Sequence, residues 1–114
     1  LRRQRQMCIR DRRIMAQTPE AKVKARVKKI LVELGAYHFF PMTGGFGHSG
    51  IPDIICCLQG KFIGIECKTR GNKPTALQLG QLEAIRQCGG LALVVNEDSL
   101  DQLKESIQSW VNLN

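Results

Sequence analysis

Apolar residues recur at helical spacing through Val23, Val27, Ile30, Leu31 and Leu34, in a segment that opens on Thr18-Pro19 and closes at Gly35. Thr is a favoured N-cap and Pro fits the first helical position, so the segment predicts a first helix. Residues 37–40 then read as a short strand. Residues 53–58 and 61–68 are apolar, β-branched runs parted only by Gln59-Gly60, and an X-Gly pair between two such runs predicts a two-residue hairpin. Gln78, Leu82 and Ile85 share one face of a further helix that Pro74-Thr75 opens and Gly89-Gly90 stops. The unbroken apolar run Leu91-Ala92-Leu93-Val94-Val95 predicts a strand buried on both faces. Ser99 is expected to cap a last helix that carries Leu100, Leu103, Ile107, Trp110 and Val111 on one side. The order α-β-β-β-α-β-α implies an α/β fold with a mixed central sheet flanked by helices.

The hairpin register turns this pattern into chemistry. With Gln59-Gly60 as the turn, Leu58 faces Lys61, and counting back sets Asp53 opposite Glu66. Facing residues on antiparallel strands point to one side with Cβ atoms about 5 Å apart, so two carboxylates there repel unless a cation compensates them. Lys68, two residues beyond Glu66, returns to the same face. Two acids and an ammonium in this relation are the equipment of metal-dependent phosphodiester hydrolysis. A Glu-x-Lys pair on a solvated strand is the plain alternative. Against it, both runs are too apolar for an exposed ribbon, and the charges gather at one end of the hairpin.

Composition narrows the class. The 114 residues are enough for one core, and 43% hydrophobic with 24% charged is ordinary for a globular chain. No apolar stretch approaches the ~20 residues that a membrane-crossing helix needs, and no secretory leader is visible. Cys8, Cys56, Cys57, Cys67 and Cys88 form an odd set without paired spacing. Three of them fall in predicted strands, where they are expected to behave as small buried apolar residues, reduced and in the cytoplasm. Zinc is disfavoured, because C-x-x-C spacing is missing and His38 and His48 stand at unrelated positions.

The net charge of +7 points to a polyanionic partner, but six arginines against Asp11 put +5 of it in residues 1–14. That leader resembles translated adapter sequence. It is read as a non-native or disordered extension, with residues 15–114 as the single domain, Met15 as its start, and a phosphate-gripping arm as the alternative. Its deletion should leave activity intact. Glu20 extends the helix stripe backward, where it can simply favour the positive end of the helix dipole. Lys22, Lys24, Arg26, Lys28 and Lys29 are assigned to the opposite, solvated face, with DNA contact as their functional reading.

Residues 42–50 contain Gly44, Gly45, Gly47 and Gly50, a loop that lets backbone approach a ligand closely. It is not a P-loop, since no Gly-Lys-Ser/Thr ending follows. His48 could act as a general base, though a lone loop histidine is commonly just polar and exposed. Residues 69–73 form a polar basic loop that ends in Lys73. Gln78 is expected to point inward at its helix start, its amide satisfied either by nearby backbone or by a ligand.

Gly50-x-Pro52-Asp53, a spacer, Glu66-x-Lys68 and then a helix Gln together resemble the PD-(D/E)xK nucleases, and specifically the small VRR-Nuc (virus-type replication-repair nuclease) domain of phages and bacteria. The likeness runs from about Thr18 to Val95. It implies a restriction-endonuclease-like core and a metal-dependent DNA endonuclease in a bacterial or phage-infected cytoplasm, acting on branched or junction DNA in replication, recombination or repair, and able to work as a homodimer. It also implies site roles. Asp53, Glu66, the main-chain carbonyl of Cys67 and Glu20 would hold Mg²⁺ or, in its stead, Mn²⁺. Lys68 would stabilise charge, Gln78 would bond water or phosphate, and Gly47, His48, Ser49, Gly50 and Lys73 would meet the substrate. The competing class is a catalytically silent DNA-binding or assembly module of the same fold, which would survive chelation and weaken with salt. A small-molecule enzyme built on the glycine loop lacks any cofactor fingerprint.

Overall fold

The computed structural model describes residues 18–42 and 50–114. The leader of residues 1–14, Met15, Cys8, Gly44, Gly45, Gly47, His48 and Ser49 lie outside the described residues. In chain order the elements are α1 (Pro19–Leu34), β1 (Tyr37–Phe39), β2 (Ile54–Leu58), β3 (Lys61–Cys67), α2 (Ala76–Gln87), β4 (Leu91–Val95) and α3 (Leu100–Leu113). This is the expected α-β-β-β-α-β-α order.

Local chemistry explains the element ends. The Thr18 hydroxyl accepts from the Ala21 N–H, Pro19 follows at the first helical position, and Gly35 takes the left-handed conformation (φ 74°) that closes α1. Gln59 and Gly60 both have positive φ, 51° and 78°, as a hairpin turn matched to strand twist requires. The resulting pairs run from Leu58 opposite Lys61 to Ile54 opposite Ile65, which is the register expected from the turn.

The sheet has the order β1-β2-β3-β4, antiparallel except for the parallel β3–β4 pair that α2 connects. One face, with Ile54, Cys56, Ile63, Ile65, Cys67 and Val95, packs against Val23, Val27 and Leu31 of α1 and Leu100, Leu103, Ile107 and Val111 of α3. The other carries α2 over β3 and β4, where Ile85 and Pro52 close over Gly64. Tyr37, Phe39, Cys57 and Phe62 share that second face by register but are exposed.

Some expectations are corrected. The first strand ends at Phe39, and the ladder starts at Ile54 and stops at Cys67, so Asp53 and Lys68 flank the strands rather than sit in them. The strand buried on both faces is β3, whose residues 63–67 are all buried. As the edge strand, β4 leaves Val94 exposed. Cys57 is exposed because α2 does not reach it, whereas Cys56 and Cys67 are buried; the four described cysteines are free thiols. Ser99 precedes α3 but does not cap it with its side chain; its Oγ accepts from the Asn96 N–H instead. Among the described residues no helix is long and apolar enough to cross a membrane.

Candidate active site

Four elements end at one place. The first turn of α1 brings Glu20, the residue before β2 brings Asp53, the end of β3 brings Glu66, and the start of α2 brings Gln78. One oxygen from each of Glu20, Asp53 and Glu66 can be chosen so that all three lie within 4.8 Å of one another. Three carboxylates this close repel unless cations intervene.

Asp53 is not a ladder partner of Glu66, because its backbone has already turned out of β2. That turn lets its Oδ2 accept the backbone N–H of Cys67 at 2.9 Å, which fixes the carboxylate across the end of β3. Its Oδ1 faces the Lys24 ammonium at 3.4 Å.

Glu66 is 1% exposed, the one buried charged residue in the described core. Its Oε2 accepts from Gln78 Nε2 at 2.9 Å and lies 3.4 Å from Lys68 Nζ. Its Oε1 is buried without any hydrogen-bond partner. Burial first, and then the Asp53 charge, push the Glu66 carboxyl up to about 7, while Lys68 pulls the other way. A buried carboxylate oxygen with no donor is costly. Hard oxygen donors converging on one point are what a small divalent cation requires, so the set fits such an ion.

Gln78 has two tasks. Its Oε1 accepts the Thr75 N–H while the Thr75 hydroxyl accepts the Gln78 N–H, a complete capping box for α2, and its Nε2 reaches Glu66. The amide is therefore satisfied by backbone at its oxygen and by the buried Glu66 carboxylate at its nitrogen.

Of the other residues singled out in the sequence, Gly50 (φ 84°) packs so closely on α2 that an added Cβ would lie 2.5 Å from the Leu77 carbonyl carbon. Its place is thus structural as well as adjacent to the site. Lys73 is exposed and forms no ion pair with the three carboxylates. Arg70, in the same loop, is tied to Asp98 through two guanidinium nitrogens. Lys24 is the site residue that the sequence reading missed. Assigned there to the solvated face, it instead lies one helical turn beyond Glu20, and that i, i+4 spacing was the available signal.

No protein-family model and no curated protein matches the chain. Among solved structures, one named VRR_NUC domain is 30% identical, with a TM-score of 0.68 over 77% of this chain and 96% of its own. A VRR_NUC domain protein is 23% identical with a TM-score of 0.55, covering 68% of this chain and 69% of its own. Hjc from Archaeoglobus fulgidus, a Holliday junction resolvase from an archaeal hyperthermophile, is 22% identical with a TM-score of 0.53, covering 66% of this chain and 65% of its own. The last two likenesses establish the restriction-endonuclease-like fold. The first, 30% identical over almost the whole of a solved domain, goes further: this chain belongs to the VRR-Nuc domain family.

Proposed function

We propose that this chain is a metal-dependent endonuclease that hydrolyses phosphodiester bonds in DNA, with preference for branched or junction substrates. The observation that carries the reading is Glu66 Oε1, a buried acidic oxygen without a partner among three converging carboxylates. Membership of a family named for its nucleases supports the reaction class, and the fold shared with a Holliday junction resolvase supports junction DNA as the substrate. Residues 15–114 form the active unit in this reading, and its setting is phage or bacterial replication, recombination or repair.

Asp53, Glu66 and Glu20, with the main-chain carbonyl of Cys67, are the residues that would hold Mg²⁺ or Mn²⁺. Bound there, the cation supplies Lewis acidity toward water and phosphate. Cys67 N–H and Gln78 Nε2 orient the two principal carboxylates, so neither has to reorganise during the reaction. Lys68, with its side chain 17% exposed, keeps an ammonium beside Glu66, where it can neutralise charge developing on phosphate oxygen as water adds and the ester bond breaks. Gly47, His48, Ser49, Gly50 and Lys73 are assigned to the sugar-phosphate backbone. A homodimer would offer two such sites to a junction, and the mass in solution measures whether one forms.

The test is cleavage of labelled linear, flapped and four-way DNA with Mg²⁺ or with EDTA. Cleavage should favour the branched substrates, stop with EDTA, and be abolished in Glu66→Ala and Lys68→Ala while both variants stay folded. Turnover retained in either variant would refute the assignment.

A further inference from the structure

The ion pair between α1 and the segment before β2 is not accounted for by these roles. Glu20 and Lys24 stand one turn apart on α1, so both side chains reach the same end of the sheet. Lys24 Nζ lies 3.4 Å from Asp53 Oδ1, and its side chain is 33% exposed, whereas Lys22, Lys28 and Lys29 are turned to solvent. Asp53 Oδ2 is already taken by the Cys67 N–H, so Lys24 covers the Asp53 oxygen that remains. Lys68 stands in a different relation. It pairs with Glu66 Oε2, the oxygen also held by Gln78, while Oε1 stays buried without a hydrogen-bond partner.

We propose that Lys24 is a displaceable counter-ion. Its ammonium balances Asp53 before a divalent cation arrives, is expelled from Asp53 Oδ1 when the cation takes that oxygen, and then engages the DNA backbone phosphate at the mouth of the site. The proposal rests on the metal-site reading above and assigns the order of events within it. One lysine thereby links the two bindings: the cation frees the positive charge that DNA then uses. A monovalent ammonium competes weakly with a divalent ion for a carboxylate, and its long stem lets the head group swing to solvent while the apolar carbons stay packed. Lys24 is a positioning and phosphate-contact residue here, not the group that acts on the reacting bond.

The test uses Mn²⁺ alone as the first probe, by calorimetric titration of the full chain without DNA. Lys24→Met keeps the stem and removes the competitor, so Mn²⁺ should bind at least about five-fold more tightly. Lys24→Arg, which keeps the charge, should stay near the unaltered affinity. Lys22→Met removes the same charge from the solvated side of the helix and is the control for net charge. The second readout is binding of four-way DNA in Ca²⁺ over a range of salt. Lys24→Met should bind more weakly, and its log affinity should fall less steeply with log salt, by about one unit of slope, as loss of one phosphate contact requires. A Lys24→Met affinity for Mn²⁺ equal to or weaker than that of Lys22→Met overturns the proposal. So does an unchanged salt slope. If the unaltered protein itself binds no Mn²⁺, the metal-site reading fails and this proposal with it, a result distinct from the other two.

Discussion

Gln78 Nε2 donates to Glu66 Oε2 at 2.9 Å while the same side chain completes the capping box of its own helix, so the start of α2 and the buried acid are held by one amide. The two tasks can be separated. Gln78→Glu keeps the capping box, since Glu serves at that position as well as Gln, but sets a second carboxylate against Glu66. Gln78→Ala removes both tasks and should cost about 1–3 kcal/mol in urea unfolding, from the cap and from the hydrogen bond to a charged group. Gln78→Glu should lose more stability between pH 5 and pH 8 than the unaltered protein does, and regain it when a divalent cation is added. A dependence on pH and cation no steeper than that of the unaltered protein would show that the amide serves the helix alone.

A second prediction concerns the approach of the loop to α2. Gly50 and Gly71 both have left-handed φ, 84° and 88°, but a Cβ on Gly50 would strike the backbone of Leu77 and Gln78 within 2.7 Å, while Gly71 has nothing within 4 Å. Gly71→Ala should therefore cost about 1–2 kcal/mol, the conformational term alone. Gly50→Ala must add displacement of the α2 N-terminus and cost clearly more, with reduced metal affinity because Gln78 moves too. Equal losses of melting temperature in the two variants would contradict the close packing.

Acid dependence follows from Glu66. Its carboxyl is raised from 4.5 to about 7, chiefly by burial. Between those values the folded chain therefore holds a proton that the unfolded chain has lost. Stability of the metal-free protein must then fall as pH rises through that window. Unfolding in EDTA should need less urea at pH 8 than at pH 5, and Glu66→Gln should flatten the difference. A divalent cation, which binds the ionised acids, should restore stability at pH 8. A Glu66→Gln variant with an unaltered pH profile would assign the effect to another group.

Short-range rules carried most of this site. The Gln59-Gly60 turn fixed the register and with it the end of β3 at Glu66, whereas Asp53 reaches that end from just outside the ladder through the Cys67 N–H and Lys68 from just past the strand. The apolar stripe of α1 led back to Glu20 in the same way. What escaped depended on the arrangement of elements. The run at β4 is apolar enough for a central strand, but its place at the sheet edge leaves Val94 exposed, and strand order is not written in the strand itself. Cys57 lies on a face that α2 leaves uncovered, which local pattern cannot reveal. Lys24 was legible but misread, because its charge was weighed and its angle from Glu20 was not. The Thr75-x-x-Gln78 spacing likewise spells a capping box, and it explains why an inward-facing glutamine opens that helix.

The most direct measurement is anomalous diffraction from crystals of the full chain soaked in Mn²⁺. A peak within about 2.1 Å of oxygens from Asp53 and Glu66, with Glu20 on its third side and Lys24 withdrawn from Asp53 Oδ1, is the predicted result. Density elsewhere, or an Asp53–Lys24 pair that persists at saturating Mn²⁺ with no ion among the three acids, would contradict the account.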